Sequence, residues 1–118
     1  MATLTQALKA FGCFEFMLAL LDGAGLDLST RGPYTLFAPP DETFASQPPQ
    51  ASIVYRHLAP GVGLASQLAE RGLVPTIGGG QLEILRTTPL LVSGRGLLQA
   101  DLRCDNGVLH ILEGAIPP

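Results

Sequence analysis

Apolar residues recur every three or four positions near the start of the chain and every second position toward its end. Leu4, Ala7, Leu8 and Phe11 define one face of a helix over Thr3 to Phe11. Thr3 is a capping residue type, and Gly12 breaks the helix. Phe14, Met17, Leu18 and Leu21 repeat the spacing in a second helix ending at Gly23-Ala24-Gly25. At this spacing Met17 and the phenylalanines read as core rather than as a ligand stripe. Asp27 to Gly32 forms a polar turn. Tyr34, Thr35, Leu36 and Phe37 then suit a pleated, half-buried strand. Pro39 and Pro40 lack an N–H for the ladder and stop it. Asp41 reads as the N-cap of a short helical element anchored by Phe44.

Ala45 to Pro49 is a loop, because Pro48 and Pro49 would interrupt any helix. Ala51 to Leu58 predicts a short helix with Ile53, Val54 and Leu58 apolar, ended by Pro60-Gly61. Gly63 to Arg71 is helical or turn-like. Strands follow from Leu73 onward. Val74 to Ile77 and Gln81 to Leu85 flank the turn Gly78-Gly79-Gly80. Pro89 to Ser93 and Leu97 to Leu102 flank Gly94-Arg95-Gly96. Asn106-Gly107 is the strongest hairpin signal, since both residue types tolerate positive φ. A last strand runs from Val108 to Leu112, and Pro117-Pro118 closes the domain. Helices first and strands after predict an α+β fold.

The 118 residues are of single-domain length, so one domain over 1–118 is expected. Hydrophobic residues make up 47% and charged ones 14%, which leaves few charges to cover the outside. Exposed apolar surface of the kind that contacts partners is therefore expected. Seven basic residues are scattered and the net charge is -3, so no basic face exists to neutralise phosphates, and nucleic-acid binding is not expected. The longest apolar run, Phe16 to Leu21, is too short to cross a bilayer, so no transmembrane segment is expected. The first residues lack the charged and apolar regions of a signal peptide.

Reactive constellations are sparse. His57 and His110 are the two histidines, no H-E-x-x-H pair is present, and no metal site or cofactor is expected. Cys13 and Cys104 fit no zinc spacing. They read either as two semi-buried free thiols, the reading preferred here, or as a disulfide closing a long loop. Cys104 and His110 flank the Asn106-Gly107 turn and would make a nucleophile pair if they faced each other. His110 lies in an alternating apolar strand, which favours a structural role. No enzymatic activity is expected.

Two segments carry a family resemblance. Thr35-Leu36-Phe37-Ala38-Pro39-Pro40-Asp41-Glu42-Thr43-Phe44 resembles the first signature of fasciclin domains, and Asn106-Gly107-Val108-Leu109-His110-Ile111-Leu112-Glu113-Gly114 resembles the second. The chain is thereby similar to fasciclin domains of bacterial type over nearly its whole length. The resemblance implies a twisted β-wedge of two sheets with the N-terminal helices packed around one side. It also implies an extracellular, periplasmic or cell-surface adhesion module with a protein or surface partner, and it makes Asp41, Phe44, Asn106, Gly107 and His110 motif residues. The family's paired Tyr-His falls on Arg56-His57, with Tyr55 one position early. His57 then reads as a fixed structural histidine bonded near Asp41 or Thr43. Fewer residues separate Phe44 from Pro60 than is usual in the family, which predicts an opened apolar surface. Binding is expected around Tyr34, Phe37, Tyr55, His57 and Leu58, with homo-oligomers formed through the trimmed side. The alternative is a small apolar ligand held between helices and sheet.

Overall fold

The computed structural model describes residues 2–25, 33–44 and 50–116. The expected turn at Asp27 to Gly32, the loop Ala45 to Pro49 and the closing Pro117-Pro118 lie outside the described residues.

Helix α1 spans Leu4–Phe11. The Thr3 hydroxyl accepts the Gln6 N–H at 3.2 Å, and the Gln6 side chain accepts the Thr3 N–H at 3.0 Å. This reciprocal box satisfies two amides that the first turn leaves open. Gly12, at φ 76°, takes the left-handed conformation that closes the helix. Helix α2 follows at Glu15–Gly23, and β1 covers Tyr34–Ala38. A 3-10 turn at Asp41–Phe44 replaces the expected helix. Helix α3 runs Ala51–His57 and passes directly into β2, Leu58–Pro60, a strand that the sequence reading missed. Helix α4 is Ala65–Arg71. The remaining strands are β3 Leu73–Pro75, β4 Gln81–Leu85, β5 Leu91–Val92, β6 Arg95–Cys104 and β7 Gly107–Leu112.

The seven strands run in the order β2-β1-β7-β6-β5-β4-β3. The β1–β7 pair is parallel, from Tyr34↔Gly107 to Ala38↔Ile111, so the first and second signatures lie side by side. Successive side chains of these strands serve opposite faces. Leu36, Ala38, Leu109 and Ile111 join a core with α1, α2 and α3. Phe37 and Leu112 join a second core with Leu68, Val74, Leu82, Ile84 and Val92. The sheet therefore folds over on itself, with helices outside the β1–β7 half. The two outer strands also meet: Ile77 donates its N–H to the Leu58 carbonyl at 2.9 Å. This is an α+β wedge.

Two turns differ from expectation. The β5–β6 turn is centred on Ser93 (φ 48°) and Gly94 (φ 87°), both in the left-handed region that a two-residue hairpin requires. At the β6–β7 turn the central residues are Asp105 and Asn106, and Asn106 is not among the described residues with positive φ. Asn106 acts instead through its side chain, whose Oδ1 accepts the Leu4 N–H at 2.9 Å. The hairpin signal was placed correctly for the wrong physical reason.

The short connection from Phe44 to Pro60 does not open the strands beneath it. Leu36, Ala38, Leu109 and Ile111 are all buried. Phe16 and Phe44 stack above them with centroids 4.5 Å apart.

Candidate functional site

The signature residues converge where β1 and β7 meet the helices, and each fastens one segment of chain to another. Asp41 sits just past β1. Its N–H donates to the Cys13 carbonyl at 2.9 Å. Its carboxylate accepts the Phe16 N–H at 2.7 Å and the Glu15 N–H at 3.2 Å. Asp41 thus caps α2, a helix that precedes it in sequence, and not the element that follows it. Helix α2 needs this, because its own N-cap residue, Phe14, supplies no side-chain bond. Asp41→Ala is expected to lower stability by about 1–2 kcal/mol. Urea unfolding checks it, and a loss within experimental error would remove the cap from the account.

Thr35, read from sequence only as a strand former, is buried and doubly bonded. Its hydroxyl donates to the Gly61 carbonyl at 2.8 Å and accepts the Gly63 N–H at 2.8 Å. His110 holds the same loop from β7. Its Nε2 donates to the Gly63 carbonyl at 2.8 Å, and Nδ1 accepts the Asp101 N–H at 3.2 Å. Asp101 lies where β6 shifts register, at φ 61°. Its carboxylate also accepts the Ala65 N–H at the start of α4, at 2.7 Å. The ring stacks on Phe37, with centroids 5.4 Å apart.

His57 plays the matching part on the other side of the sheet. Its Nδ1 donates to the Ile53 carbonyl at 2.6 Å, and Nε2 accepts the Ile116 N–H at 3.0 Å. The expected partners, Asp41 and Thr43, are not the ones used. Phe44 meets the ring edge-on at 6.2 Å. Both histidines are wholly buried, and in both a backbone N–H points at one ring nitrogen. A protonated ring would face that N–H with a second N–H, so both rings are neutral. Burial, opposed in part by the bond to Ile53, lowers the His57 pKa to about 4. Burial likewise lowers that of His110, against the raising effects of its bond to Gly63 and of nearby Asp101.

The cysteines are not bridged: Cys13 is exposed and Cys104 buried, each a free thiol. Nor do Cys104 and His110 form a reactive pair. The Cys104 Sγ donates to the Leu102 carbonyl at 3.6 Å, and both nitrogens of His110 are engaged by backbone. Burial first, then the charge of Asp105, pushes the Cys104 thiol up and away from the reactive thiolate. An alkylating reagent at neutral pH is therefore expected to label Cys13 promptly and Cys104 only on unfolding. Fast labelling of Cys104 in the folded protein would reinstate it as a nucleophile. Among the described residues, no cluster of His, Cys, Asp and Glu is arranged to hold a metal ion.

The residues expected to bind a partner are divided by the fold. Phe37 and Leu58 are fully buried and cannot present apolar surface, which corrects that expectation. They were misread because a strand between two cores has no outward face. His57 is buried as well. Tyr34 and Tyr55 are half-buried, Tyr34 against the helical core and Tyr55 beneath Gly78. Among the described residues the exposed large apolar side chains are Phe11, Val62, Leu73, Ile77, Leu85 and Leu98. Leu73, Leu85 and Leu98 are 52%, 41% and 61% exposed. Register places Leu73 and Leu85 on one face, since Leu73 pairs with Glu83 and Leu85 with Leu91. Leu98 follows on the irregular part of β6. Alternation along β4, with Leu82 and Ile84 buried and Glu83 and Leu85 exposed, was the signal that could have located this face.

Comparison with known proteins agrees with this geometry. The fasciclin domain model matches residues 12–118. The chain is 28% identical over 101 residues to the uncharacterized protein sll1735 of Synechocystis, covering 75% of this chain and 76% of that one. It is 26% identical to the transforming growth factor-beta-induced protein ig-h3 of Sus scrofa, covering all of this chain but 20% of the relative. A fasciclin domain pair from the insect cell adhesion molecule Fasciclin I superposes with a TM-score of 0.80 at 14% identity, over 99% of this chain and 51% of that one. That last likeness concerns the fold. The chain belongs to the fasciclin domain family.

Proposed function

We propose that this chain is a single interaction domain that works outside the cytoplasm, as an adhesion module binding a protein or cell-surface partner through apolar contacts. Fasciclin domains are in general adhesion and interaction modules, and the signature residues here serve as structural fasteners. The observation that carries the reading is the outward face of β3 to β6, where Leu73, Leu85 and Leu98 stand in solvent. Exposed side chains of this size on a chain with so few charges favour association. Among the described residues, no helix is long and apolar enough to cross a membrane.

The test is a triple variant, Leu73→Glu with Leu85→Glu and Leu98→Glu. Beads coated with the protein are expected to adhere to one another or to a cell layer, and the variant to weaken this at least about tenfold. Its thermal midpoint should stay within a few degrees, because surface changes away from special contacts alter stability little. Undiminished adhesion would exclude this face. Sedimentation of both proteins reports whether the same face joins two copies. The alternative of an apolar ligand between helices and sheet finds less support. At the interface of α1 and α2 with the sheet, Leu4, Leu8, Met17 and Leu21 are buried in one cluster with Leu36 and Leu109.

A further inference from the structure

A groove of about 290 Å3 opens between the end of α3, the β3–β4 turn and the chain at Ile116. Arg56 lines it together with Thr76, Gln81, Leu82, Ser93 and Ile116. Arg56 is the sole charged residue among them, and no carboxylate of the described residues pairs with it. Its Nε donates to the Ile116 carbonyl at 3.4 Å. That contact engages only one of its five N–H donors. Ser93 adds a hydroxyl. Its Oγ accepts the Glu83 N–H at 3.3 Å, which leaves the hydroxyl proton to donate. Gln81 stands exposed at the rim. Leu82 and Ile116, each 3% exposed, reach the groove only at its floor.

A positive planar fork that no carboxylate of the described residues pairs selects an anion. A single guanidinium suits a carboxylate better than a phosphate, because one positive charge balances a carboxylate's single negative charge while the fork matches its two oxygens. The geometry points to a binding site for a carboxylate carried on a short apolar body, with Arg56 holding the carboxylate and the body lying in the groove above Leu82 and Ile116. The chemistry is that of a free small acid or of the terminal carboxylate of a peptide. Leu73, Leu85 and Leu98 do not line this groove, so the site stands independently of the proposed adhesive face.

N-acetyl-leucine and N-acetyl-leucinamide test it, since they differ only in the charge of the end group. In amide NMR titrations the acid is expected to shift the signals of Gly80, Gln81, Ser93 and Ile116 saturably. The leucinamide should bind about tenfold more weakly, the loss of one charged hydrogen-bond pair. Arg56→Gln should abolish the preference for acid over amide while the remaining signals stay in place. If that variant fails to fold, the acid–amide ratio on the unaltered protein decides alone. A short peptide ending in leucine, run as free acid and as amide, separates the sources: tighter binding than N-acetyl-leucine assigns the site to a chain terminus, and equal binding to a free acid. Equal binding of N-acetyl-leucine and its amide, shifts confined to other residues, or no shifts at all would overturn the assignment.

Discussion

Gly107→Ala is expected to cost at least about 3 kcal/mol, or to prevent folding outright. Gly107 sits at the head of the parallel ladder, opposite Tyr34, with φ 154°. A Cβ added there would overlap the Tyr34 carbonyl and crowd the Tyr34 amide nitrogen as well. These are backbone atoms in a paired strand, so they cannot swing aside as a side-chain end would. Relief requires β1 and β7 to separate, and that pair carries residues of both cores. The loss would be a large share of the roughly 5–15 kcal/mol by which domains are stable. Gly79→Ala is the control. Gly79 has φ 90° but nothing within 4 Å of its added Cβ, so about 1 kcal/mol is expected. Urea unfolding midpoints of the two variants make the comparison. Similar losses would show that the close approach of β1 does not limit position 107.

Acidification is expected to destabilise the fold through its histidines. His57 titrates at about 4 when folded, against 6.5 for the ordinary side chain. Between these values the unfolded chain takes up a proton that the folded ring refuses. Stability therefore falls as the pH falls. The contribution is complete above about pH 6.5, is lost progressively toward pH 4, and changes little below that. At about 1.4 kcal/mol for each unit, the loss from His57 is about 3 kcal/mol. His110, also lowered, acts in the same direction. Carboxylates titrate in the same range, so the informative quantity is the difference between proteins. His57→Gln should lower stability at pH 7 by about 2–4 kcal/mol, since the bonds to Ile53 and Ile116 are weakened or lost. It should also shrink the fall between pH 7 and pH 4. An unaltered pH dependence in this variant would remove His57 as the source.

These expectations rest on contacts of very different legibility. Both signatures, the α+β order and the two ends of α1 can be read from neighbours in the chain. Thr3 and Gln6 are three apart, and a glycine at position 12 ends the helix whatever lies around it. The places of the β3–β4, β5–β6 and β6–β7 hairpins were likewise readable, although the β5–β6 turn centres on Ser93 and Gly94 and Asn106 acts through its side chain on Leu4. The partners of polar side chains were not. Asp41 has the same capping chemistry for a helix on either side of it, and only the packing of α2 beside the end of β1 selects the earlier one. His57 finds its partner at Ile116 because the chain end returns past α3.

The helices-then-strands order, the family and the motif residues Asp41 and His110 follow from the residues themselves, because they are carried by short stretches of chain, whereas β2 and the fastening role of Thr35 do not. Which face of each strand is buried was settled by the tertiary structure. Phe37 and Leu58 look like half-exposed positions in an amphipathic strand and short helix, but the sheet folds over and encloses them. Leu73 and Leu85 carry the same kind of side chain and remain in solvent, since nothing among the described residues packs over their face. Hydrophobicity states what a residue gains from burial. The topology decides whether a second layer arrives to bury it.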